Sequence, residues 1–255
     1  TCLPYRSVLP VLARLFAFHP ELMPRNQVLL RRWLWRGSLN RSHEGTITAQ
    51  RRMLRAIDEG DQHRSVQRLL REAGGQPTKP LVALGNYNFR FARSKLETLA
   101  LLALQPRALD TGEVIDLARL LDSDSAPART LFGSSTLGPL VKTLANRVVH
   151  EKLAGGVRRR FAQLRWSEPD ERQLAESHGF DEEALSRLVA GDVSACLKAR
   201  HDRLLNHLDT FFAARAEWWD TFDRPPISAL VDRLDDEDED DESGAVEPTA
   251  TGQRG

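Results

Sequence analysis

The stretch from Val28 to Gly45 constrains this chain more than any other. It carries Trp33 and Trp35 two positions apart, wrapped by Arg31, Arg32, Arg36 and Arg41. Leu29, Leu30, Trp33 and Leu34 recur at helical rather than alternating spacing, so they form one buried stripe, and the arginines fall mostly elsewhere. The spacing predicts a helix over 24–36, opened by Pro24 in its first turn and stopped by Gly37. Two indoles on so short a helix require a core to receive them.

The rest of the chain follows the same pattern. Helices are expected over 6–18, ended by His19-Pro20, and from Thr46 or Thr48 to Ile57. Another is capped by Asp61 and closed at Gly74-Gly75. Further helices are expected over 89–104, 110–121, 137–152, 157–164, 167–178 and 181–190, with 122–136 a loop. The longest is capped by Asp192 and runs to about Trp219. Its Leu197, Leu204, Leu208, Phe211 and Trp218 follow a 3–4 spacing, with His201 and Arg215 at the remaining seam positions. No stretch has a convincing strand period. The expected fold class is all-α, a multi-helix bundle with a long C-terminal helix and a disordered acidic tail. The expected domains are an N-terminal helical subdomain over 1–75, a C-terminal helical domain over 76–234 and the tail over 235–255. Gly75 to Pro80 supplies the internal boundary.

At 255 residues, 41% apolar and 28% charged, the chain has room for a real core. Its apolar runs, such as Leu99 to Leu104, are too short to span a bilayer, and no secretory signal opens it. A chain that begins on Thr1 reads as a fragment or a processed product. Cys2 and Cys196 are its only cysteines, far apart, which offers no disulfide framework or zinc site and fits a reducing, cytoplasmic setting. The net charge of zero conceals a division. Nine of the 36 acidic residues and one of the 36 basic residues fall in 235–255, leaving a body near +8. The run Asp235 to Glu242 can solubilise the chain, mimic DNA over the basic body, or dock a basic partner.

Four stretches together resemble the C-terminal helical region of the GmrSD-type restriction endonuclease family. They are Leu3 to Pro10; Leu30 to Trp35 with Arg41 to Gly45; Leu144 to His150; and Glu176 to Phe180 with the long helix from Leu197 to Arg215. These are bacterial phage-defence proteins whose N-terminal module is a ParB-like nucleotidase or nuclease. The resemblance implies that this module, with its phosphate-handling motif, would precede Thr1 and act in cis or in trans. Many members end in an HNH-like nuclease, which needs a general-base histidine beside a metal-binding histidine and Asp or Asn. Asn146-Arg147 and Ser177-His178 resemble the later part of that module. No histidine lies between Pro106 and Val149, so the module reads as degenerate or replaced.

The residues themselves complete no catalytic constellation, and neither a metal nor a cofactor is expected. His19, His43, His63, His150, His178, His201 and His207 include no i, i+4 pair, and read as exposed or core-edge side chains. Ser134-Ser135 and Ser177-His178 lack the motif that would activate a serine. The basic clusters carry more weight. Arg31, Arg32, Arg36 and Arg41 flank the tryptophans, while Arg158, Arg159 and Arg160 precede Arg165-Trp166, a composition suited to phosphate contact. The leading expectation is a non-catalytic helical module of a GmrSD-like protein that positions or regulates a nuclease or nucleotidase and contacts DNA. The alternatives are a metal-dependent HNH-like DNA endonuclease using His150 or His178 as base, and a structural protein that dimerises through the long helix.

Overall fold

A computed structural model describes residues 2–76, 85–123, 126–133, 138–166, 168–218 and 223. The chain is mostly helical. Helices α1 (Val8–Phe18), α2 (Pro24–Leu39), α3 (Ile47–Arg55) and α4 (Gln62–Ala73) come first, followed by α5 (Ala92–Leu102) and α6 (Leu117–Ser123). Strand β1 (Ala128–Thr130) pairs antiparallel with β2 (Arg147–Val149), after which come α7 (Val157–Ala162), α8 (Pro169–Glu176), α9 (Glu182–Val189) and α10 (Val193–Ala216). No helix among the described residues is long and apolar enough to cross a membrane.

Side-chain caps account for the clearest helix starts. Thr46, Asp61, Asp181 and Asp192 each accept a hydrogen bond from the amide three residues on, satisfying a donor the helix cannot. The C-terminal end of α2 departs from expectation. α2 continues through Gly37 to Leu39, because Gly37 admits another side chain rather than stopping the helix. A β-carbon there would sit 2.2 Å from the His43 ring. His43 is fully buried on this notch and donates from Nε2 to the Trp33 carbonyl at 3.2 Å, its ring edge-on to the indole with centroids 4.6 Å apart.

The region from 106 to 149 departs most from the sequence expectation. The helix expected over 110–121 starts only at Leu117, where Asp116 accepts from the Arg119 amide at 3.1 Å. Before it, Arg107 bridges Val114 across a turn in which Gly112 has φ +73. The helix expected over 137–152 is instead two short 3₁₀ turns, Pro139–Lys142 and Leu144–Asn146, running into β2. Buried Asn146 sets this conformation. Its amide donates to the Phe132 and Val141 carbonyls at 2.7 and 2.9 Å and its oxygen accepts from the Phe132 amide at 2.8 Å. The register Ala128↔Val149, Arg129↔Val148, Thr130↔Arg147 gives strands of three residues, too short to leave a period in the sequence.

The described residues up to Trp218 pack as one unit around three apolar clusters. The first joins α1 to α4 around Trp33. The second gathers Phe161, Trp166, Phe180 and Cys196, and the third joins α5 to Leu204, Leu208 and Phe212 of α10. The buried stripe of α10 is Leu197, Arg200, Leu204, Leu208, Phe212 and Ala216. A seam through His201, Phe211 and Arg215 would repeat every 3.5 residues and belong to a supercoiled pair. The observed stripe instead steps by four residues from Arg200 to Ala216, and Leu204, Leu208 and Phe212 on it pack into the third cluster. The expected boundary at residue 75 leads into 77–84, outside the described residues. α2 reaches past it nonetheless, and Trp35 meets Phe211 of α10 edge-on at 5.6 Å. The Ser134-Ser135 pair and the acidic tail over 235–255 also lie outside the described residues.

Candidate nucleic-acid interface

Residues 152–165 contain Lys152, Arg158, Arg159, Arg160 and Arg165 and not one carboxylate. Gly155 and Gly156, with φ +80 and +86, turn the chain into α7. Val157 and Phe161 face inward, and the Phe161 ring packs 4.6 Å from Trp166 and 5.2 Å from Phe180. This apolar anchor leaves Arg158 and Arg159 exposed on the opposite side of the helix, with Lys152 and Arg165 exposed at its flanks. None of these four makes an ion pair with a carboxylate among the described residues. Arg160 is turned partly inward, donating from Nε to the Leu109 carbonyl at 2.9 Å.

The hairpin extends this basic face. Arg147 donates to the Thr130 hydroxyl. The Arg158 guanidinium rests against Gly133, where a β-carbon would lie 2.5 Å from Nη1. Thr130 and Gly133 are three residues apart, so at most about 11 Å of backbone separates the two anchors. Arg147 lies outside the arginine runs and shows only in the fold, because strand pairing brings it to the same edge.

The N-terminal arginines divide instead. Arg32 and Arg36, expected on a cationic outer face, are 3% and 5% exposed and close the end of α10. Arg36 donates from Nε to the Ala216 carbonyl at 2.7 Å and from Nη2 to the Glu217 carbonyl, and its guanidinium lies 5.5 Å from the Trp218 ring centroid. Arg32 donates from Nε to the Glu217 carboxylate at 2.8 Å. The last carbonyls of a helix lack partners within it and carry partial negative charge, which the Arg36 guanidinium satisfies, while Arg32 holds the Glu217 carboxylate beside them. Arg31 and Arg41 remain exposed, and Arg41 pairs with Glu44 three residues on. The structure therefore brings together Arg158, Arg159 and Arg160, and it does not assemble Arg31, Arg32, Arg36 and Arg41 into one surface.

The histidines are more deeply placed than expected. His150 and His178 are each 2% exposed. The Leu109 amide donates to His150 Nε2 at 2.9 Å, which leaves Nδ1–H to donate to the Glu151 carbonyl at 2.9 Å, so both ring nitrogens are committed. His178 donates from Nε2 to the Arg107 carbonyl at 2.8 Å. No group of three or more His, Cys, Asp or Glu side chains is placed to hold a metal among the described residues. Burial pushes the Cys196 thiol up to about 11. A groove of about 520 Å³ between α9 and α10 is lined by charges that pair with one another, Lys198 with Asp202 and Arg203 with Asp181.

Burial depresses His43 to about 4, against the backbone hydrogen bonds that raise it. His178 is lowered to about 3, first by burial and also by the positive Arg200 nearby, against the hydrogen bond to the Arg107 carbonyl. Both folded values lie below the unfolded one, near 6.5, so the unfolded chain holds these protons more tightly. Their contribution is fully present above about pH 6.5 and is lost toward pH 4, at about 1.4 kcal/mol per pH unit for each histidine. The urea midpoint is expected to fall steadily from pH 6.5 to 4.5, and less steeply in His43→Gln. Equal slopes for the two proteins would show that the buried ring is not the group being protonated.

Comparison of the chain with family models, with curated proteins and with solved structures returned no match.

Proposed function

We propose that this chain is a non-catalytic helical module of a GmrSD-like phage-defence protein, working in the cytoplasm. It is organised as a multi-helix bundle on α10, holds nucleic acid, and positions or regulates a nuclease or nucleotidase supplied in cis or in trans. The observation that carries the reading is the carboxylate-free run 152–165, which presents Arg158 and Arg159 outward from a helix fixed by buried Val157 and Phe161. Exposed guanidinium groups without carboxylate partners are free to exchange water for phosphate oxygens, and a rigid base fixes their spacing. The four motifs that resemble the GmrSD-type family supply the defence context. Burial of His150 and His178 favours a holding role over general-base work.

The test is binding of labelled duplex DNA to the full chain by fluorescence anisotropy across a salt series. Log affinity is expected to fall linearly with log salt as counterions are released. R158E/R159E is expected to weaken binding at least tenfold at low salt and to reduce the slope by about two, roughly 0.9 for each phosphate no longer neutralised. Equal affinity for the charge-reversed and native proteins would remove α7 from the interface.

A further inference from the structure

We propose that the turn from Tyr87 to Phe91 is a stacking platform for an unpaired base of a single-stranded nucleic acid, continuous with the basic face on α7. This rests on reading 152–165 as a nucleic-acid surface and adds the strand form that the surface prefers. Three aromatics alternate at 87, 89 and 91, interleaved and followed by Arg90, Arg93 and Lys95, with no carboxylate from 85 to 95. Phe91 stands 63% exposed. A large aromatic in water usually belongs to a loose loop, but the backbone under this one is hydrogen-bonded.

Asn88 makes the turn. Its side-chain oxygen accepts from the Arg90 amide at 3.1 Å and its carbonyl from the Phe91 amide at 2.9 Å, while its own amide donates to the Ser94 hydroxyl at 3.0 Å. Below it, the Tyr87 amide donates to the Lys142 carbonyl at 2.7 Å and the Tyr87 hydroxyl to Thr98 Oγ1 at 2.8 Å. The backbone that carries the Phe91 ring is therefore fixed in place, so a ligand has less to order on binding.

The surrounding charge selects the class of ligand. Arg90 and Lys142 are exposed, and the Arg147 guanidinium lies 5.4 Å from the Tyr87 ring centroid. The nearby carboxylate, Glu97, is buried and held by Arg93 at 2.9 Å, so it adds no repulsion at the surface. Cations gathered around an exposed ring suit a strand whose bases stack while its phosphates meet the guanidinium groups. Arg147 also bonds Thr130, three residues from the glycine that supports Arg158, so one strand can meet both groups.

The test uses the full chain and a short single-stranded oligonucleotide carrying 2-aminopurine, with the matching duplex alongside. Phe91 contributes little to the core, so F91A should fold as the native chain does. F91A is expected to weaken single-strand binding about tenfold and to abolish the 2-aminopurine quenching, with duplex affinity nearly unchanged. F91L should resemble F91A and F91W should restore native binding, since the ring and not its bulk is what stacks. Native binding by F91L, or unchanged single-strand affinity in F91A, would overturn the proposal and leave Phe91 as a contact for a protein. If R158E/R159E loses duplex binding while F91A changes nothing, the basic face stands and the platform falls. If neither oligonucleotide binds the native chain at low salt, both fall.

Discussion

Replacing Arg200 with methionine is expected to destabilise the protein more than any other single change proposed for it. The guanidinium is fully buried on α10. It donates to the carbonyls of Leu144, Ala145, Arg147 and His178, at 2.6 Å to Arg147 and 2.7 Å to His178 from Nη2, and lies 4.4 Å from the Phe180 ring centroid. Those carbonyls belong to the 3₁₀ turn, β2 and the α8–α9 connection, so one side chain fastens three segments to α10. Two effects oppose each other. Burial pulls the guanidinium down to about 9, and removing so desolvated a charge gives back part of that cost. Methionine, however, takes the donor from the buried Ala145, Arg147 and His178 carbonyls, each costing about 1–3 kcal/mol, while the Leu144 carbonyl keeps the Arg147 amide. The second effect wins, for a net loss of about 4–6 kcal/mol. A fall in Tm of about 10–20 °C follows for a unit of this size. Arg200→Lys keeps a charge but cannot reach the same four carbonyls, so its Tm should fall by a comparable amount. A methionine variant that melts with the native protein would mean that water or a rearranged backbone serves those carbonyls instead.

Gly37→Ala is expected to cost about 2–3 kcal/mol, against the sign of helix propensity. In mid-helix, alanine is ordinarily better than glycine by about 1 kcal/mol. Here the added carbon would sit 2.2 Å from two atoms of the His43 ring, below any tolerable contact. The ring must leave its notch. It then gives up its hydrogen bond to the Trp33 carbonyl and its packing on the indole, and the hydrogen bond from Ser7 Oγ to the His43 carbonyl is disturbed with it. Overpacking of this kind costs about 1–3 kcal/mol before those losses are added. A double-mutant cycle separates the terms. His43→Ala opens a cavity by itself, and adding Gly37→Ala to it should then cost little or even stabilise. Additive losses in urea unfolding would show that the two residues do not meet.

The helices that bury an apolar stripe behind an Asp or Thr cap were legible from the residues alone, as Asp61, Asp181 and Asp192 illustrate. Caps and periodicity are local, and so is the chemistry that enforces them. The features that escaped are those in which a polar side chain is spent on distant backbone. Asn146 breaks a plausible helical run because Phe132 and Val141 offer it better hydrogen bonds than the next turn would. Arg32, Arg36 and Arg200 resemble any surface arginine in sequence. Their burial depends on acceptors far away in the chain, leftover carbonyls for Arg36 and Arg200 and the Glu217 carboxylate for Arg32, which no spacing rule records. The α7 arginines were legible because consecutive cations without a carboxylate are a local pattern. Their continuity with Arg147 was not, since it passes through strand pairing.

The closure of α10 by α2 bears on how the molecule comes apart. A long helix normally frays from its free end, one turn at a time, at little cost to the rest. Here the final turn cannot loosen without releasing Arg32 and Arg36, whose helix carries the Trp33 core. Near its terminus, α10 therefore shares the opening free energy of a segment about 180 positions earlier in the chain. The first forty residues and the last helical turn form one cooperative element, and a partner that strains either end is felt at the other.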